Sequence, residues 1–253
     1  MQDLILNVSL RMLGTFPDAE DATQEILLKI ATHLPAFRQE SAFSTWVFRI
    51  AVNHLLLYKK HMFAHVPLSF NFYGNDIENA DIQNIPDLSQ NVERALLAEE
   101  LKMSCTNVLL QCLDPESRCI FVLGTMLKLN SQTASEILEI TPEAYRQRLS
   151  RIRHKVASFL TTYCGEYGQG ACHCHNRIDY AIQNHRIHPS QLTYATAAEL
   201  PKEKLQQFKQ AMEEIDALSA QFTFCKLYES PERTKEFLQS FLQSKPLAIV
   251  KEG

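Results

Sequence analysis

"NSQTASEILEITPEAYRQRLSRIRHKV", residues 130–156, divides into two helical stretches around a three-residue turn. The first helix is expected from about Ser131 to Leu138 and the turn over Glu139 to Thr141. The second helix then starts with Thr141 as N-cap and Pro142 in its first turn, where a missing N–H costs nothing. This is the spacing of a helix-turn-helix, whose second helix enters the major groove with its N-terminal residues near base edges. Arg146, Arg148, Arg151, Arg153 and Lys155 fall within ten residues, and only Glu143 opposes them in that helix. The competing reading is a solvated amphipathic helix with arginines in surface pairs. It leaves the short helix and turn just before it without a purpose.

The rest of the chain agrees with a helical protein. Only 7 Gly and 10 Pro occur in 253 residues, with 45% hydrophobic composition, and Leu, Ala, Gln, Glu and Lys recur throughout without the alternating β-branched pattern of strands. The expected class is all-α: two small helical domains joined by an acidic linker, followed by a helical C-terminal extension. Residues 1–62 form the first domain, 63–92 the linker, 93–162 the second domain and 163–253 the extension. The linker carries "VPLSFNFYGNDIENADIQNIPDLSQN", without a single Lys or Arg. A net charge of −4 is therefore segregated and does not argue against nucleic acid. No apolar run reaches the roughly 18 residues that cross a bilayer, and "MQDLILNVSLRML" has no signal-peptide pattern, so a cytoplasmic location without a membrane partner is expected. No phosphate loop, nucleophile–base pair or pair of apolar-set carboxylates is apparent, and enzymatic activity is not expected.

In the first domain, "DAEDATQEILLKIATHL" is an amphipathic helix with an acidic first turn that suits the helix dipole. Then "FRQESAFSTWVFRIAVNHLLLYKK" interleaves Phe37, Phe43, Trp46 and Phe48 with Arg38, Arg49, Lys59 and Lys60. Aromatic and basic residues mixed in this way can hold unstacked bases along a phosphate backbone. Trp46 and Phe48 fit a plain core equally.

Taken in order, "DAEDATQEILLKIATHLPAFRQESAFSTWVFRIAVN" and "LDPESRCIFVLGTMLKLNSQTASEILEITPEAYRQRLSRIRHKV" resemble the two domains of extracytoplasmic-function sigma factors of the bacterial sigma-70 family. The resemblance covers most of residues 8–160 outside the linker. It implies a specificity subunit of RNA polymerase that directs promoter-specific initiation, with core RNA polymerase (β′ clamp helices and β flap) and promoter DNA as partners. By that resemblance Asp18, Asp21, Gln24 and Glu25 bind core enzyme. Arg38, Ser44, Trp46, Arg49, Asn53, Lys59 and Lys60 face the melted −10 element, with a flipped base received by the loop "FRQESAFS". Arg146, Gln147 and Arg148 lie nearest the −35 bases, and Arg151, Arg153 and Lys155 on phosphates. The acidic linker would thread the channel later occupied by RNA. The chain departs from the family pattern in a shortened first helix, in Leu57, in Thr133–Ala134–Ser135, and in Glu139 where the turn usually has Gly. A residue other than Gly there is tolerable if its φ stays negative.

The extension opens with "YCGEYGQGACHCH", residues 163–175. Cys164, Cys172 and Cys174 supply three soft ligands, and a closed tetrahedral zinc site needs a fourth, taken here as His175, with His173, His185, His188 and Cys225 as alternatives. Copper or a thiol switch would use the same residues. Cys105, Cys112 and Cys119 sit among apolar residues at helical spacing and are assigned to core packing. Amphipathic helices are expected after Leu200, with Leu205, Phe208, Met212, Ile215 and Leu218 on the apolar face. Regulation is expected either from an anti-sigma factor or from self-inhibition by this extension. Two other functions fit the same residues: a dimeric helix-turn-helix regulator independent of polymerase, and a decayed sigma scaffold serving as a metal or redox sensor.

Overall fold

The computed structural model describes residues 2–37, 41, 43–58, 68–197, 228 and 236. Nine α-helices are found among these residues, joined by shorter helical turns: α1 (Gln2–Leu13), α2 (Phe16–His33), α3 (Phe43–Leu57), α4 (Phe70–Asn79), α5 (Arg94–Gln111), α6 (Pro115–Phe121), α7 (Ser131–Leu138), α8 (Pro142–Tyr163) and α9 (Ile178–Gln183). An isolated parallel β-bridge pairs Cys164 with Cys172. The class is all-α, as the composition implies.

Local chemistry sets the helix starts. Thr15 accepts from Asp18 N, Asp114 from Ser117 N, Asn130 from Thr133 N and Thr141 from Ala144 N, so four helices begin on a side-chain oxygen that satisfies an otherwise orphaned N–H. Substitution of such a cap by Ala costs about 1 kcal/mol. The first helix, expected to be short, runs twelve residues and buries nine of them.

The two helical segments do not stand apart. Ile5, Val8, Ile26, Val47 and Ala51 of α1–α3 share one core with Cys119, Val122, Leu123 and Ile137 of the second segment. Buried polar contacts reinforce that seam. Arg11 donates to Asn107 Oδ1 at 2.8 Å. Arg118, 5% exposed, donates to the carbonyls of Leu110 (2.8 Å), Leu113 (2.8 Å) and Met12 (2.5 Å), closing the C-terminal ends of α1 and α5 with one guanidinium. Burial lowers the pKa of Arg118 to about 10, which leaves it charged at neutral pH.

A second core lies behind the helix-turn-helix, with Leu110, Ile120, Phe121, Tyr145, Leu149, Val156 and Phe159. The stretch read as a linker contributes to it, because α4 forms within it. Tyr73 stacks on Phe159 with centroids 5.6 Å apart, and Phe70 meets the same ring edge-on at 5.3 Å. Ser69 caps this helix through Phe72 N, a signal outweighed in the sequence by the Asn, Asp and Pro around it.

The extension straps both segments. Ile178, Ala181 and Ile187 pack on Leu97 and Leu101 of α5. Glu100, buried on the same helix, accepts the backbone N–H groups of Thr193, Tyr194 and Ala195 at 2.9, 2.7 and 2.7 Å. The Tyr194 hydroxyl then donates to Gly14 O, and Asn7 exchanges two hydrogen bonds with the backbone of Tyr228. Leu205, Phe208, Met212, Ile215, Leu218 and Cys225 lie outside the described residues.

Candidate nucleic-acid interface

Helix α7 has the bounds the sequence predicts, and α8 starts where it predicts, with Thr141 as the cap. The turn differs in one respect. Glu139 takes φ 55° and ψ 39°, the left-handed conformation, so the condition of negative φ fails. This is the geometry that ends α7: the N–H groups of Glu139 and Ile140 both reach Ser135 O. For a residue with a Cβ it costs roughly 1 kcal/mol or more.

Helix α8 buries Tyr145, Leu149, Ile152 and Val156 on one face. Gly124 lets that face approach closely, since a Cβ there would lie 2.3 Å from the Tyr145 hydroxyl and 2.5 Å from Leu149 Cδ2. The opposite face presents Arg146, Gln147, Arg148 and Arg151 to solvent. Their partners hold them weakly: Arg146 donates to Ser131 Oγ at 3.3 Å, Gln147 to Glu143 Oε1 at 3.3 Å, and Arg148 lies 3.8 Å from Glu116. Exposed pairs of this kind contribute about 0–1 kcal/mol, and DNA can displace them. Lys155 is exposed, with its ammonium 4.9 Å above the Phe70 ring. Arg153 departs from the phosphate role: it is turned inward, donating to Thr125 Oγ1 at 3.1 Å and Gly124 O at 3.0 Å. It anchors α8 to the π-helical turn Val122–Met126.

Helix α3 is in the opposite situation. Phe48 is buried in the shared core, and Trp46 is half-buried against it, 5.2 Å from the Phe37 ring. Both contribute to packing. Arg49 is held by the helix-turn-helix, donating to Glu136 O at 2.9 Å with Glu139 3.7 Å away. Asn53 and Leu57 remain exposed. Arg38, Lys59 and Lys60, together with the Ser44 side chain, lie outside the described residues.

On α2, Asp21 and Glu25 are exposed and Gln24 is half-buried. Asp18 accepts from the Thr15 hydroxyl at 2.7 Å, so capping uses part of its carboxylate. Burial raises the pKa of Tyr58, and the charges of Asp18, Asp21 and Glu25 add to that rise, which places all three on one acidic face. His54 lies beside this face, 3.4 Å from Glu25 and 2.6 Å from the Lys29 ammonium. Its pKa is lowered, by burial first and by Lys29 second, against the pull of Glu25.

Cys112 and Cys119 are core residues. Cys105 is not simply packing: the Tyr73 hydroxyl donates to its sulfur at 2.9 Å, and it lines a small cavity with Cys172 and Cys174. Burial pushes the Cys105 thiol up to about 12 and raises those of Cys172 and Cys174 as well. His175 is exposed and outside that cavity. Among the described residues, no three His, Cys, Asp or Glu side chains are placed to hold a metal ion as they stand. Sequence reasoning passed over Cys105 because its neighbours are apolar, and passed over Glu100 because a single acid in a helix carries no signal of what it will meet.

A basic helix behind a capped turn, an acidic face on α2 and an all-α architecture are the features set against known proteins. The comparisons with known proteins make this specific. Residues 1–60 match the family model "Sigma-70 region 2". The chain is 26% identical over 161 residues to the RNA polymerase sigma-H factor of Pseudomonas aeruginosa, covering 63% of this chain and 81% of the relative. It is 28% identical over 164 residues to the ECF RNA polymerase sigma factor SigW of Bacillus subtilis, covering 63% and 84%. It is also 28% identical over 141 residues to the ECF RNA polymerase sigma-E factor of Escherichia coli, covering 55% and 72%. Residues 1–60 thus match a sigma-70 region, and over 55–63% of its length the chain is similar to ECF RNA polymerase sigma factors. No helix among the described residues is long and apolar enough to cross a membrane.

Proposed function

We propose that the protein is an RNA polymerase sigma factor that binds core enzyme through α2, reads the −35 duplex with α8 and the melted −10 strand with α3. It acts where polymerase acts, in the cytoplasm, and the polymerase supplies the catalysis. The observation that carries this reading is the exposed row Arg146, Gln147, Arg148 and Arg151 on the helix after a capped turn, in a chain with an acidic face on α2. Arg146, Gln147 and Arg148 sit where base edges are read, and Arg151 and Lys155 where phosphates lie. Asp21, Gln24 and Glu25 are the contact set for the β′ clamp helices, and the second domain that for the β flap.

The seam between α3 and the helix-turn-helix favours a further element of this reading: the described arrangement is a closed, resting state. Reading both promoter elements at once requires α3 and α8 to reach separate stretches of DNA. Helices α3 and α7 touch through Arg49 and Glu136. They cannot serve both elements while so joined, and the extension that ties Glu100, Gly14 and Asn7 holds them together. Self-inhibition by the extension thus replaces the need for a separate inhibitor in this account.

Binding of the full chain to purified bacterial core polymerase tests the reading. Asp21→Lys with Glu25→Lys is expected to weaken that affinity tenfold or more. Undiminished binding would remove α2 as the docking helix.

A further inference from the structure

A cavity of about 480 Å³ lies where three parts of the chain meet: the turn between α1 and α2, one face of α5, and the extension at Ile187 and Tyr194. That volume falls within the roughly 300–1,000 Å³ of sites that take small organic molecules. Phe16, Val108, Ile187 and Tyr194 give it apolar walls. The acid and the arginine that line it are already matched. Glu100 accepts three backbone N–H groups, and Arg186 donates to Asp76 at 2.6 Å, so neither offers its charge to an ionic ligand. Gln111 supplies the polar feature of the cavity. It is 7% exposed, and its NH2 group is directed at the carbonyls of Arg11 and Met12, each 3.5 Å away. Carbonyl oxygens only accept, so this contact fixes the amide and turns Oε1 away from them, where it makes no hydrogen bond. Asn107, one turn earlier, is spoken for on both sides: Oδ1 accepts from Arg11 at 2.8 Å, and Nδ2 is turned toward the Tyr194 hydroxyl. A buried acceptor without a donor is costly, and a ligand that brings an N–H removes that cost.

We propose that this cavity binds a neutral, flat heteroaromatic molecule of one or two fused rings, held by an N–H donated to Gln111 Oε1. The apolar walls cover the ring, and the tilted pair Phe16 and Tyr194, with centroids 5.5 Å apart, offers aromatic edges and faces to it. A sugar or other polyhydroxyl compound fits poorly, because most of its hydroxyls would be buried against those walls without partners. A molecule in this place touches the α1–α2 turn, α5 and the extension together. Since it binds only the docked arrangement, it adds its own binding free energy to the strap and favours the resting state. That regulatory consequence rests on the closed-state reading above, whereas the site itself does not.

Titration of the full-length protein with indole, followed by calorimetry and NMR, tests the site. Benzothiophene, of nearly the same shape but with sulfur in place of the N–H, isolates the hydrogen bond. Saturable binding of one indole per chain is expected, about fivefold or more tighter than benzothiophene, with shift changes gathered on residues 104–111 and 187–194. Gln111→Leu should erase the preference by weakening indole alone, and Val108→Phe, which fills the cavity from α5, should weaken both probes at least tenfold. Should either variant fail to fold, the comparison of the two probes on wild-type protein still decides. Wild-type protein that binds no indole, or full binding in a folded Val108→Phe, would overturn the site. Equal affinity for indole and benzothiophene would overturn the role of Gln111 and with it the ligand class. Indole that binds as expected yet leaves chain-dependent transcription unchanged would count against the closed-state reading and leave the site standing.

Discussion

Helices α8 and α3 are the two proposed DNA readers, and they are in opposite states. On α8 the arginines of the first turns stand in solvent on weak surface partners, while the apolar face is fixed by Tyr145 and Leu149 against Gly124. On α3 Trp46 and Phe48 are packed and Arg49 is taken by Glu136 of the neighbouring domain. A duplex reader can stay displayed at rest because duplex DNA needs no opening. A surface for unstacked bases is apolar and basic at once, and the cheapest place for it at rest is against another part of the chain.

The largest effect should come from breaking the seam at the buried Arg118 guanidinium. Arg118→Met removes hydrogen bonds to four buried carbonyls that join α1 to α5, and should cost about 3–5 kcal/mol in thermal or denaturant unfolding. Amide exchange should rise most in α1 and α3. If α3 stayed as protected as in the wild type, the closed seam would not be what silences it.

Next is Glu100→Gln, which replaces a carboxylate that receives three backbone N–H groups. Hydrogen bonds to charged groups contribute about 1.5–3 kcal/mol each, and an amide oxygen keeps only part of them, so a loss of about 2–3 kcal/mol in docking of the extension is expected. Proteolysis between residues 185 and 200 should accelerate while α8 stays intact. Equal protease resistance would show that the strap is held elsewhere.

Arg146→Ala should weaken binding to a −35 duplex by about 1–3 kcal/mol and relax preference at one base pair. The same change should leave single-stranded −10 binding as it was. Loss at both sites would mean that α8 and α3 are not separable readers.

The smallest expected change is a gain. Glu139→Gly relieves the left-handed turn and should stabilise the fold by about 1 kcal/mol, seen as a rise in melting temperature. It also removes the carboxylate 3.7 Å from Arg49, so a net loss of stability would show that this exposed pair contributes more than surface pairs usually do.

The helix-turn-helix was legible to the residue because its signals are local. Thr141, Pro142 and the spacing of Tyr145, Leu149 and Ile152 define α8 without reference to anything distant. The handedness of Glu139 was not legible, since a residue other than Gly argues against it and only the need to end α7 decides it. Arg118 and Met12 are 106 positions apart, and Glu100 and Tyr194 are 94 apart, so the seam and the strap depend on contacts no window of sequence contains. The acid on α5 and the cysteine five residues after it look like ordinary helix residues until the extension folds back on them. The polar composition around α4 concealed a helix that Ser69 caps and Phe159 holds.

Run-off transcription by purified bacterial core polymerase over a promoter library, with and without the full chain, tests the central claim most directly. The account predicts transcripts that require the chain and start at a fixed distance from a shared two-element motif, with the upstream preference altered by Arg146→Ala. Duplex binding by a dimer of the chain, with no chain-dependent transcript from any library member, would contradict it.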